Sequence, residues 1–134
     1  MDLFVDTSVW SLAMRRDAEP DGPAVERLRQ ALESGEGVFT TGLVLQELLQ
    51  GFGGPKSRDG IVERFGALPF LVPDRADHVE AAALRSACRR NGSRVGTIDA
   101  LLAQLCVRHE LVMLTTDRDF ELMAGHVQLR LWVP

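Results

Sequence analysis

Short apolar runs that suit strands alternate along this chain with longer stretches that suit helices, and no other feature restricts the fold as much. Strands separated by helices pair in parallel through crossovers, with helices covering both faces of the sheet. The runs are Leu3-Phe4-Val5, Val38 to Thr40, Leu68 to Val72, Leu111 to Thr115 and Val127 to Val133. Pro69 interrupts the third, which suits an edge strand. Thr7 or Ser8 can cap a short helix through Ala13, and the segment from Arg15 to Gly22, with Pro20, reads as a loop. Pro23 stands where a helix begins and Gly35 where it closes. Further helices are expected over Thr41 to Gly51, Ser57 to Phe65, from Asp74 or Asp77 to about Arg90, from a Thr97 cap to about His109, and over Asp117 to Met123. The expected architecture is α/β in three layers. A central, mostly parallel sheet of four to five strands is flanked by helices, in a single domain over residues 1–134.

Composition removes several alternatives. At 46% hydrophobic and 25% charged, the chain can bury a core without staples. Cys88 and Cys106 sit in apolar helical patterns and read as packed, reduced thiols. No basic segment precedes the first apolar run, and no apolar stretch approaches the roughly 20 residues of a membrane span, so a cytosolic protein with no membrane partner is expected. Phosphate-cradling glycine motifs are missing, which disfavours a nucleotide-binding module. The sole lysine, Lys56, lies in a Gly-Pro loop, which disfavours a phosphoacceptor receiver domain needing a lysine after a late strand. The net charge of −4 weighs against a nucleic-acid binder, but setting four clustered acids aside would leave 15 acids against 15 bases.

Those four acids carry the chemistry. In open α/β sheets, sites form beyond the carboxyl ends of strands. Asp6 ends the first run and Asp117 follows VMLTT. Asp99 falls in the first turn of a helix, and Glu47 interrupts the apolar stretch LVLQELLQ. Each alone has an ordinary use as a cap, a dipole-favoured acid or a solvated side chain. Gathered at one sheet edge, they repel by several kcal/mol per close pair at an effective dielectric of about 20. Protons or a cation must relieve that repulsion. With no His or Cys in the set, the expected ion is Mg2+, with Mn2+ as the alternative. Asp6, Asp99 and Asp117 are the expected ligands. Glu47 either ligates a second ion or holds a metal-bound water, and Asp119 is an outer or alternate ligand. Thr7, Ser8, Thr115 and Thr116 are placed to orient the carboxylates. A cation so held suits phosphodiester hydrolysis.

Arg85, Arg89, Arg90 and Arg94 precede the Asp99 helix and Arg118 lies between Asp117 and Asp119. They serve either as RNA-phosphate contacts or as a solvated helix end. Trp10, Leu12, Met14 and Phe52 serve either the core or a dimer or partner surface. With no Tyr and few other aromatics, base-stacking platforms are not expected, and recognition of an RNA shape fits better.

Four segments, FVDTSVW, LQELLQG, GTIDALLA and LTTDRDF, resemble in their order and spacing the PIN-domain family and, within it, the VapC-type toxins of type II toxin–antitoxin systems. The DTS triplet and the TxDxDF pattern are the most specific parts. The resemblance implies a PIN-like fold and a metal-dependent endoribonuclease. Its acidic quartet would be Asp6, Glu47, Asp99 and Asp117, with Asp119 a fifth candidate. It also implies an RNA substrate, a homodimer and a cognate protein antitoxin that wraps an apolar groove. A PIN-fold DNA nuclease and a housekeeping RNA-processing factor are the alternatives within the same fold.

Overall fold

A computed structural model describes residues 1–15 and 22–134; most of the expected Arg15 to Gly22 loop lies outside them. In chain order the elements are β1 (Leu3–Val5), α1 (Thr7–Ala13), α2 (Pro23–Ser34), β2 (Val38–Thr41), α3 (Gly42–Gly51) and α4 (Pro55–Gly66). They continue with β3 (Phe70–Leu71), α5 (Arg75–Arg90), α6 (Thr97–Arg108), β4 (Val112–Leu114), α7 (Arg118–Ala124) and β5 (Arg130–Leu131). All the strands pair in parallel, in the order β3-β2-β1-β4-β5.

From β1 the chain steps outward through β2 to β3, then returns across the sheet to β4 and β5. Right-handed crossovers place the helices of the two halves on opposite faces. Helix α1 accordingly packs on α2 and α3, α3 packs on α4, and α5 lies along α6. The α/β three-layer expectation holds. The direction reverses between β1 and β4, so a crevice opens at the carboxyl ends of these two strands.

Burial follows from this order. β1 and β4 are buried along their whole length, as central parallel strands covered on both faces should be. β3 lies at an edge, as Pro69 suggested, and the Pro69 carbonyl still accepts from the Thr40 N–H at 3.0 Å.

Several elements differ from the sequence expectation. The runs Leu68 to Val72, Leu111 to Thr115 and Val127 to Val133 contribute only two, three and two strand residues. β5 pairs with β4 only at Val112↔Arg130 and Met113↔Leu131, while Leu129 is apolar because it is buried in the core. Apolarity there reports packing and not pairing. Helix α4 starts at Pro55, which presets the first turn, ahead of Ser57. α6 is capped by Gly96, with Thr97 as its first residue. α1 is capped by Asp6 and not by Thr7 or Ser8.

One buried charge went unforeseen as such. Asp77, fully buried on α5, closes a capping box with Asp74 and meets Arg108 Nε of α6 at 2.8 Å. Burial pushes its carboxyl up, but the Asp74 N–H, Gln104 and Arg108 together outweigh that and hold it below the usual range. The ionised form is therefore favoured by folding. Its contribution is complete above the unfolded value near about 3.9 and is lost as pH falls through the lower folded value. Asp77→Asn is expected to cost about 1–3 kcal/mol at pH 7 and to shrink the difference in urea midpoint between pH 7 and pH 3. Identical pH differences in the two proteins would remove Asp77 from the acid response.

Candidate active site

Asp6 leaves β1 with its N–H bonded to the Leu114 carbonyl of β4 at 2.9 Å, so the two central strand ends are tied at the crevice. Its side chain is only 6% exposed. Oδ2 accepts from Ser8 Oγ at 2.8 Å, from Thr115 Oγ1 at 2.9 Å and from the Ser8 N–H at 3.4 Å. Thr115 Oγ1 also accepts from the Asp117 N–H at 3.0 Å, and Ser8 Oγ from the Thr116 N–H at 3.1 Å. Two hydroxyls thus lock the residues after β1 to those after β4. All three bonds to Asp6 fall on Oδ2, leaving Oδ1 facing no donor among the described residues. Thr115→Val keeps the shape and deletes the hydroxyl. It is expected to cost about 10- to 100-fold in metal affinity or turnover with the fold intact, as losing such an orienting contact does elsewhere. A metal titration and kcat/KM check it, and an unchanged metal affinity with unchanged turnover would count against it.

The capping roles exist and leave room for more. Asp117 caps α7 by accepting the Asp119 N–H at Oδ1, at 2.9 Å. That bond draws Asp119 in beside Asp117. Asp99 stands in the first turn of α6. Asp99, Asp117 and Asp119 can each offer one carboxylate oxygen with all three within 4.8 Å of one another.

Around this trio the other two acids converge electrostatically. Burial, then the charges of Asp6, Asp117, Asp119 and Glu47, push the Asp99 carboxyl up to about 6. Glu47 on α3 is raised by partial burial and then by Asp6. The nearby Thr7 hydroxyl acts the other way and lowers it.

The close trio comprises Asp99, Asp117 and Asp119; the Asp6 carboxylate beside it is held by the Ser8 and Thr115 hydroxyls, and the Asp119 N–H is held by Asp117. Ser8 and Thr115 hydrogen-bond the Asp6 carboxylate, and Thr7 acts on the Glu47 carboxyl; the hydrogen bond at Thr116 runs from its backbone N–H to Ser8 Oγ. The donor set is carboxylate oxygen alone, with no His or Cys in the trio, which fits a hard divalent cation and disfavours zinc.

Arg85, Arg89 and Arg94 share the lining of a cavity of about 620 Å³ with Asp99 and Asp119, whereas Arg90 and Arg118 do not line it. The arginines were readable in the sequence; which of them line the cavity was not. Trp10 is fully buried against Phe65, with ring centroids 4.9 Å apart, so it belongs to the core. Met14 and Phe52, by contrast, line an open groove of about 270 Å³ with Lys56, Ile61 and Arg64, between the end of α1 and α4.

Comparison with known proteins places this architecture. The family model described as PIN domain matches residues 3–126. A VapC ribonuclease of Mycobacterium bovis and ribonuclease VapC11 of Mycobacterium tuberculosis are each 31% identical over 130 residues, covering 96% of this chain and 96% of the relative. Among solved structures, VapBC2 from Rickettsia felis, bound to a promoter DNA fragment, superposes with a TM-score of 0.75 at 17% identity, covering 98% of both chains. FitAcB from Neisseria gonorrhoeae gives 0.71 at 22% identity, covering 98% of this chain and 97% of that one. VapC20 of Mycobacterium tuberculosis, described as a Sarcin-Ricin loop cleaving toxin, gives 0.68 at 20% identity, covering 96% of this chain and 99% of that one. At these identities the structural matches speak for the fold.

Proposed function

Because this chain belongs to the PIN-domain family, we propose that it is a metal-dependent endoribonuclease and the toxin of a toxin–antitoxin pair, acting in the cytoplasm as a single PIN-like domain over residues 1–134. The observation that carries the reading is the convergence of Asp99, Asp117 and Asp119 beside Asp6 and Glu47, at the carboxyl ends of the two central strands. The curated relatives named ribonucleases support the activity, since they match over nearly the whole chain.

Asp99, Asp117 and Asp119 would hold Mg2+ or Mn2+, with Asp6 Oδ1 the next available oxygen. When bound, such an ion supplies a water of lowered pKa and positive charge against phosphate oxygens. The protein's own part is orientation. Ser8 and Thr115 fix the Asp6 carboxylate, and the α7 cap fixes Asp117 against Asp119. Glu47, whose carboxyl is raised by partial burial and by Asp6, would orient an attacking water and accept its proton.

The assembly partners belong to the same proposal. Solved relatives include VapBC complexes from Haemophilus influenzae and Salmonella typhimurium. The groove lined by Met14, Phe52 and Ile61 suits an apolar segment of an antitoxin, with Lys56 and Arg64 at its rim, and a homodimer is the expected oligomer.

The test is cleavage of tRNA, rRNA, mRNA and DNA by the purified protein in Mg2+, in EDTA, and after metal is restored. RNA cleavage lost in EDTA and regained with Mg2+ or Mn2+ is the expected result. Cleavage that persists in EDTA overturns the metal mechanism, and preferential cutting of DNA overturns the ribonuclease.

A further inference from the structure

The cavity beside the acidic trio has a second wall, and its chemistry is opposite. Arg85, Arg89 and Arg94 line, with Asp99 and Asp119, one cavity of about 620 Å³, within the roughly 300–1,000 Å³ of small-ligand pockets. The backbone that carries these arginines is anchored. Arg85 donates from Nε to the Val95 carbonyl at 2.7 Å, and the Val95 side chain is buried. At the other end of the same loop, the Ser93 N–H bonds the Cys88 carbonyl at 3.0 Å, and Gly92 turns the chain at a φ of 84°. Arg94 is therefore carried between two anchored points. Arg89 stands on the last turn of α5, a rigid element.

Neither Arg89 nor Arg94 forms an ion pair among the described residues, although two carboxylates line the same cavity. A cation on the trio would engage those carboxylates and leave the guanidiniums facing an open space without a counter-ion. A strand with one phosphate at the trio and the next against the arginines would satisfy both walls, since planar guanidiniums match phosphate oxygens. We propose that Arg89 and Arg94 clamp the backbone phosphate adjacent to the one cleaved, so that productive binding requires a nucleotide on that side. This rests on the nuclease reading for the word "cleaved"; the clamp itself is a phosphodiester site.

Binding of a short labelled oligoribonucleotide is followed by fluorescence anisotropy as salt is raised, with Ca2+ replacing Mg2+ so that binding is read apart from turnover. Arg89→Ala and Arg94→Ala are each expected to weaken binding about tenfold and to lower the log–log salt slope by about 0.7. Arg75→Ala removes an equal charge at the other end of α5, roughly 20 Å away, and is expected to change neither. A single neutral methylphosphonate is then moved link by link along the strand. One link should cost the wild type about tenfold and cost the Arg89→Ala, Arg94→Ala double variant nothing further. Salt slopes equal to wild type, or a methylphosphonate penalty identical in all proteins, would overturn the clamp. A clamp signature in a protein that cuts no RNA in Mg2+ would instead sink the nuclease reading and leave the clamp standing.

Discussion

Asp99→Asn is expected to reduce RNA cleavage by about 10²- to 10³-fold or more, while the metal-free protein stays folded and melts at the same temperature or higher. Asp99 is the point on which the other acids act: burial and four neighbouring carboxylates raise it to about 6. Asn keeps the shape and deletes the charge, so a ligand is lost and a repulsion is relieved. Sites that trade stability for function respond in this way. The pH dependence carries the same signature. A carboxyl raised by folding binds its proton more tightly in the folded state. The metal-free wild type therefore gains stability as pH falls through about 6 towards the unfolded value near about 3.9, and the variant lacks that gain. This is opposite in sign to the contribution of Asp77. If Asp99 served only the dipole of α6, its loss would cost about 0.3–1 kcal/mol and leave turnover alone. Single-turnover cleavage and thermal melts in EDTA separate the two, and cleavage within tenfold of wild type would defeat the catalytic assignment.

The positions of Asp6 and Asp117 were legible because each follows a central strand, and a parallel α/β sheet places residues after its strands at one edge; Asp99, in the first turn of α6, was legible as an acid at a helix start. Which oxygens remain free was not legible. No sequence signal shows that Ser8 and Thr115 engage Oδ2 of Asp6 and leave Oδ1, or that the α7 cap holds the Asp119 N–H on Asp117. Strand ends failed for a related reason. Val127 and Leu129 look like strand residues because they pack inward, yet pairing with β4 is confined to Arg130 and Leu131. Adjacent Arg89 and Arg90 have the same composition and charge, and only the phase of α5 and the anchored loop behind it decide which one meets the cavity. The pairing of Asp77 with Arg108 depends on how α5 lies along α6, a tertiary fact that neither helix announces.

Trp10→Ala is expected to lower stability by about 3–5 kcal/mol, which for a chain of this size corresponds to a melting temperature lower by roughly 10–20 °C. Trp10 is 0% exposed and heads the set of large, fully buried side chains. Its indole meets Phe65 of α4 at a tilt of 53°, a geometry that adds to simple burial. Helix α1 has seven residues, too few to persist without tertiary packing. Trp10 therefore anchors the helix that Asp6 caps. Its Nε1 is buried with no acceptor, so Trp10→Phe sacrifices no hydrogen bond and should cost far less than the alanine variant. Cleavage per folded molecule should survive Trp10→Ala at low temperature, because Asp6 stays tied to Leu114, Ser8 and Thr115. Had Trp10 served as a surface anchor for a partner, its truncation would leave the isolated protein's melt unchanged and weaken only complex formation. Chemical denaturation of the isolated variant, read beside its cleavage rate at low temperature, decides between these, and a loss below about 1 kcal/mol would contradict the core assignment.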